Sequence, residues 1–270
     1  MKRSEKSTGA RAALAAALLL AAVSGCAKDD GTVVVIGTGN GYPPYCYLDP
    51  SGDLAGFERD LLDAVDRKLE AYKFRYEILE FKNILASLDA GRVDLAAHQY
   101  AVNDERRQKY LFAEEGYGAD NRYLVVAPGT EGIASFDDLA GKIISVAPGS
   151  ESALEIETWN RGHPGGEIQI LYYEATPDIL VTNLLTGVID ATIRTEQDVK
   201  LINTFWPNAH LKIVGESIGG LEEAYYIYRK ESVALRDAVD GALRELKESG
   251  ELDALHKKAL DVFFKNAVVR

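Results

Sequence analysis

From residue 32 onward, short apolar runs alternate with stretches in which apolar residues recur at helical spacing. Val33-Val34-Val35-Ile36 is a continuous apolar run of the kind buried on both faces of a parallel sheet. A Gly- and Pro-rich loop over residues 37–56 follows, and then Phe57, Leu61, Ala64, Val65 and Leu69 share one face of a helix. Phe74, Tyr76 and Ile78 alternate as a strand, Ile84, Leu85 and Leu88 form a helix face ending at Gly91, and residues 93–97 predict a further strand. The β-α-β-α-β order returns after Leu139: strands over 143–146, 168–172 and 189–193, helices over 151–159 and 177–185. A strand at 224–228 and helices over 232–249 and 252–264 close the chain. The pattern predicts two α/β units.

An internal echo supports that reading. Leu88-Asp89-Ala90-Gly91-Arg92-Val93-Asp94 and Leu184-Leu185-Thr186-Gly187-Val188-Ile189-Asp190 each end a helix and open a strand, with Leu, Gly and Asp at matching offsets. Glycine there takes the left-handed conformation that stops a helix. No long linker separates the units, so the crossings are expected as short strands near 118–124 and 214–222. The first lobe is then 32–120 with 219–270, and the second is 121–218.

The net charge of −12 leaves no basic stripe to neutralise phosphates, which excludes general nucleic-acid binding. Residues 1–25 carry Lys2, Arg3, Lys6 and Arg11 against Glu5, a net of +3, which leaves −15 on the remainder. Their basic start and the apolar run over 12–23 predict a secretory signal peptide, too short for a membrane span. Val23-Ser24-Gly25-Cys26 resembles the lipobox of bacterial lipoproteins, in which the cysteine is acylated and becomes the first mature residue. Residues 26–31 then form a lipidated tether. Cys46 is the one remaining cysteine, so stability must come from the core and not from a disulfide.

Two catalytic motifs fail on context. Gly215-Glu216-Ser217-Ile218-Gly219 matches a nucleophile elbow, but it leads into a strand-like run where a helix is required. Gly37-Thr38-Gly39-Asn40-Gly41 lacks the third spaced glycine of a dinucleotide loop and is followed by Pro43-Pro44. The four histidines show no metal-ligand spacing, so neither a metal nor a cofactor is expected. His98 stands apart because it ends a strand, where open α/β sheets place their ligands.

The run from His98 to Phe112, with Arg106 six residues before Phe112, resembles the signature of the family-three solute-binding proteins of amino-acid ABC transporters. Gly41-Tyr42-Pro43-Pro44-Tyr45, Gly52-Asp53-Leu54-Ala55-Gly56-Phe57-Glu58-Arg59-Asp60-Leu61, and Gly141 to Val146 leading to Gly149-Ser150 agree in order, so the resemblance covers essentially the whole chain. It implies a two-lobed α/β periplasmic binding protein fold of type II with a ligand cleft between the lobes. Arg106 offers a planar fork that matches a carboxylate bidentately. The resemblance makes Tyr42 and Phe81 an aromatic pair that sandwiches the ligand's aliphatic part, and has His98, Gln99 and Tyr100 hold the ligand from the strand end. Ser150 and Glu151 open a helix whose free amides suit an anion.

Three departures stand out. The usual Asp three residues before the loop tyrosine is Gly39, the usual Ser or Thr of the strand-end turn is Ala101, and the acid that holds the α-ammonium aligns with Thr195, with Glu196 or Glu151 as substitutes. The His98-Gln99-Tyr100 turn most resembles that of the cystine-binding branch, which points to cystine or another polar amino acid. The expected partners are an amino acid, an ABC permease with its ATPase, and the extracytoplasmic membrane face through the lipid; the chain is expected to be a monomer and not an enzyme. The alternatives are a periplasmic enzyme on the same scaffold, like cyclohexadienyl dehydratase, and a sensory module.

Overall fold

The computed structural model describes residues 31–173 and 176–268, so the leader and Cys26 lie outside it. Strand β1 (Thr32–Thr38) is the first apolar run. The segment expected to be only a loop folds into a small antiparallel sheet of β2 (Gly41–Tyr42), β3 (Cys46–Leu48) and β4 (Leu54–Ala55). Then come α1 (Phe57–Lys68), β5 (Tyr72–Ile78), α2 (Phe81–Asp89) and β6 (Leu95–Tyr100). A short helix α3 (Asp104–Lys109) and β7 (Leu111–Phe112) lead into β8 (Gly118–Val126). The second α/β unit comprises β9 (Ile143–Val146), α4 (Glu151–Gly162), β10 (Gln169–Tyr172), α5 (Pro177–Leu185), β11 (Ala191–Thr195) and α6 (Glu196–Phe205). Finally β12 (Lys212–Tyr228) returns the chain, and α7 (Val233–Glu248) and α8 (Glu251–Val268) pack against α1.

Nine strands form one sheet path, β10-β9-β11-β8-β12-β6-β1-β5, with β7 beside β12. Each half repeats one arrangement. Parallel strands β5-β1-β6 are closed by antiparallel β12, and parallel strands β10-β9-β11 are closed by antiparallel β8. Separate apolar cores fill the two halves, one built around Ile36, Leu61 and Tyr226, the other around Leu124, Ile144 and Ile156.

The halves meet where β8 pairs with β12 from Lys212↔Val126 to Ala224↔Gly118. This crossing is longer than the short strands expected, because β12 runs unbroken for 17 residues. Register shifts between Val214 and Ile218 and between Ile218 and Leu221 absorb the curvature. Gly215 at φ 72° and Gly219 at φ 71° take the left-handed conformation such bulges need.

The internal echo has a structural cause. Gly91 and Gly187 stop α2 and α5 at φ 68° and 72°. Asp94 then donates its N–H to the Val35 carbonyl and accepts the Val35 N–H on Oδ2 at 2.9 Å. Asp190 makes the same pair with Ile143, its Oδ2 accepting at 2.8 Å. Each aspartate thus satisfies a strand N–H that the parallel ladder leaves open, in both lobes. A hydrogen bond to a charged acceptor contributes about 1.5–3 kcal/mol, so Asp190→Ala should lower unfolding free energy by that amount in a denaturant titration, with its m-value unchanged.

Candidate functional site

Between the halves lies a cavity of about 240 Å³ lined from both sides. Its second-lobe wall is built by topology. Strands β9 and β11 are parallel neighbours, so α4 and α6, which follow them, begin side by side with their amide ends toward the cleft. Ser150 caps α4 by accepting the Ala153 N–H at 3.1 Å. Thr195 caps α6 in a reciprocal box: its Oγ1 accepts the Asp198 N–H at 3.1 Å, and the Asp198 carboxylate accepts the Thr195 N–H at 3.3 Å.

Asp198 is therefore the buried acid that lines this wall. Burial holds its carboxyl above the ordinary carboxylate range. Tyr42 donates its hydroxyl to Asp198 at 3.4 Å from across the cleft. Glu196, one of the two acids offered as a substitute at this position, is exposed and outside the lining, whereas Glu151 lines it.

Arg106 stands on α3, a six-residue helix without an apolar face that depends on its cap. Asn103 supplies the cap, its Oδ1 accepting the Arg106 N–H at 2.8 Å, and its amide reaches across to Glu151 at 2.7 Å. The guanidinium donates to the Ala101 carbonyl at 3.0 Å and across the cleft to the Gly149 carbonyl at 2.7 Å. Among the described residues it makes no ion pair. Tyr100 is buried outside the lining and carries the guanidinium 5.2 Å above its ring.

Tyr42, Phe81 and His98 form one aromatic wall, with His98 bridging the other two. Its ring stacks 5.9 Å from Tyr42 at an interplanar angle of 9° and lies 4.9 Å from Phe81. Burial pushes its pKa down to about 4, so the ring is neutral near pH 7. Gln99 lines the floor in the left-handed conformation, φ 50°, that side chains rarely adopt.

Glu58 secures that turn. Its Oε1 accepts the Gln99 N–H at 3.0 Å, the Gln99 amide at 2.9 Å and the Tyr117 hydroxyl at 2.7 Å, while Oε2 is buried without a partner among the described residues. Burial raises Glu58 to about 7 against the pull of those bonds. Nothing in its periodicity marked it as inward-facing. Arg122 on β8 also faces the cavity, held by Glu155, by Ser152 at 2.8 Å and by Glu222 on β12. No sequence motif announced this cluster, which ties α4 to both crossing strands.

Two lobes joined by paired strands, with a cleft lined by helix ends and by residues of both, define a type II periplasmic-binding-protein fold. The chain belongs to the bacterial extracellular solute-binding proteins, family 3, which it matches over residues 34–262. It is 31% identical over 237 residues to the L-cystine-binding protein TcyK of Bacillus subtilis (strain 168), covering 88% of this chain and 87% of that protein. It is 28% identical over 237 residues to the lysine/arginine/ornithine-binding periplasmic protein of Escherichia coli (strain K12), covering 84% and 87%. Among solved structures, the putative L-cystine ABC transporter protein from Listeria monocytogenes superposes with a TM-score of 0.80 at 32% identity, over 85% of this chain and 96% of that one. The family and fold implied by the motifs are borne out.

Burial of Glu58 makes stability depend on pH. Its folded-state pKa of about 7 lies above the ordinary 4.5, so the folded protein binds the extra proton in that interval. The stability is present below about pH 4.5 and is lost as pH rises through 7. Relative to Glu58→Gln, the wild type should lose on the order of 3 kcal/mol of unfolding free energy between pH 5 and 8. His98 acts in the opposite sense, costing stability as pH falls from 6.5 toward 4. Paired denaturant titrations of the two proteins across that range check the Glu58 contribution, because His98 is common to both.

Proposed function

We propose that this chain is an extracytoplasmic solute-binding lipoprotein that captures an amino acid in the interlobe cavity and delivers it to an ABC permease. Its lobes are 32–120 with 219–270, and 121–218. The observation that carries the reading is Arg106, a buried guanidinium held by two carbonyls and, among the described residues, by no carboxylate. A ligand carboxylate completes that fork, with the amides at Ser150 beside it. Asp198 meets the α-ammonium in place of the aligned Thr195, and burial gives it reason to accept a cation. Tyr42, Phe81, His98 and Gln99 form the opposing wall.

The relatives' names support cystine, and so does the charge inventory. Arg106, Arg194, Glu151 and Asp198 all line the cavity and make no ion pair among the described residues. Two guanidinium groups and two carboxylates match the two carboxylates and two ammonium groups of cystine. Arg122, committed to Glu155 and Glu222, is structural.

Truncating one partner of a buried charge pair costs about 2–5 kcal/mol, so Arg106→Ala should weaken L-cystine binding roughly thirty-fold or more in calorimetry. Arg106→Lys should lose much of the same, because an ammonium cannot reproduce the fork. Arg107→Ala is the control, and equal affinities for the two alanine variants would remove the reading. Acylation of Cys26 is tested separately: Cys26→Ala should move the protein from the membrane to the soluble fraction, and a variant that still sediments with membranes would remove the anchor.

A further inference from the structure

His98 sits in a notch that exists only because residue 39 has no side chain. A Cβ placed on Gly39 would lie 2.5 Å from Cδ2 of His98 and closer still to Nε2, well inside contact distance. Its next neighbour is the Leu79 carbonyl at 3.6 Å, an ordinary contact. The obstacle to a side chain at 39 is therefore the imidazole alone. The ring is buried, and its Nε2 has no hydrogen-bond partner among the described residues. It touches two of the aromatic rings that line the cavity, Tyr42 and Phe81. A polar ring kept there without a hydrogen bond carries a desolvation cost that the aromatic contacts only partly offset.

We propose that Gly39 and His98 act together as the specificity determinant of the cavity: the imidazole, seated against Gly39, fills the slot between Tyr42 and Phe81 and so turns away ligands whose long cationic side chain would enter it. This rests on the amino-acid reading above and deepens it. The slot is flanked by two aromatic faces, which attract cations. A neutral ring standing in it removes the room for a guanidinium or ammonium. The ligand's distal part is directed instead to the side of the cavity lined by Leu180, Ile202, Phe205, Trp206 and Phe263.

Four proteins test the pair: wild type, Gly39→Ala, His98→Ala and the double variant. In ligand-free protein, the His98 ring resonance followed by NMR should titrate near 4 in the wild type and move toward 6.5 in Gly39→Ala, as the displaced ring regains water. An unchanged titration overturns the proposal whether or not any ligand is found. By calorimetry, His98→Ala should gain affinity for L-arginine relative to L-cystine by about tenfold, and an unchanged ratio overturns it. Gly39→Ala should weaken L-cystine binding about tenfold or more in the wild-type background and little in His98→Ala; equal losses in both backgrounds overturn the coupling. Should Gly39→Ala fail to fold, the arginine-to-cystine ratio of His98→Ala decides alone. A wild type that binds neither amino acid, with the ring titration shifted as expected, overturns the cystine reading and the specificity role built on it, and leaves only the seat.

Discussion

The antiparallel ladder between β8 and β12 is the constraint on which the rest depends. Every residue pair that faces the cavity from opposite sides does so because these two strands hold one lobe against the other. The ladder runs from Lys212 to Ala224 but is interrupted in register at two points, and its glycines permit the bends. A straight ladder of this length would twist the two half-sheets by a fixed amount and leave no choice of lobe angle. Bulges release that coupling beside the Arg122 cluster.

Charge in the cleft falls into two kinds. The terminal nitrogens of Arg122 are all engaged, by Glu155, Glu222 and Ser152, and so fasten α4 to the ladder. Arg106 and Asp198 are instead surrounded by weak or partial partners: carbonyls, a helix cap and a distant tyrosine. A buried charge left this way is costly, and proteins retain such charges where a second molecule completes them. The cross-cleft bonds of Arg106 to Gly149 and of Asn103 to Glu151 hold the halves together at the mouth of the same cleft.

What could be read from the chain followed from periodicity. The β1 run, the amphipathic helices α1 and α2 and the repeated Gly-x-x-Asp corner are local patterns, and each recurs in the structure with a physical cause. Elements β2 to β4 escaped because strands of two or three residues have no period to detect. Helix α3 escaped because it buries no apolar stripe and stands on its Asn103 cap. The family resemblance pointed to Tyr42, Phe81, Gln99, Arg106 and Ser150, and all five line the cavity. Asp198 stayed hidden as the third residue of a capping box, a role that explains an acid without a ligand. Glu58 looked like one more charge on a helix, and only the tertiary packing of Gln99 and Tyr117 turns it inward.

The two crossing strands also determine how this architecture can be recombined. Both described ends of the chain, β1 and α8, belong to the first lobe, so the second lobe is a guest inserted between β8 and β12. Its two junctions lie opposite each other on one ladder, with Asn121 paired to Leu221. A chimera made by cutting at that pair would exchange half of a binding cavity as a single closed unit, with the host core around Ile36 and Leu61 left intact. Inheritance by whole lobes thus offers such a protein a path to new ligands that point substitutions, confined to one wall at a time, do not.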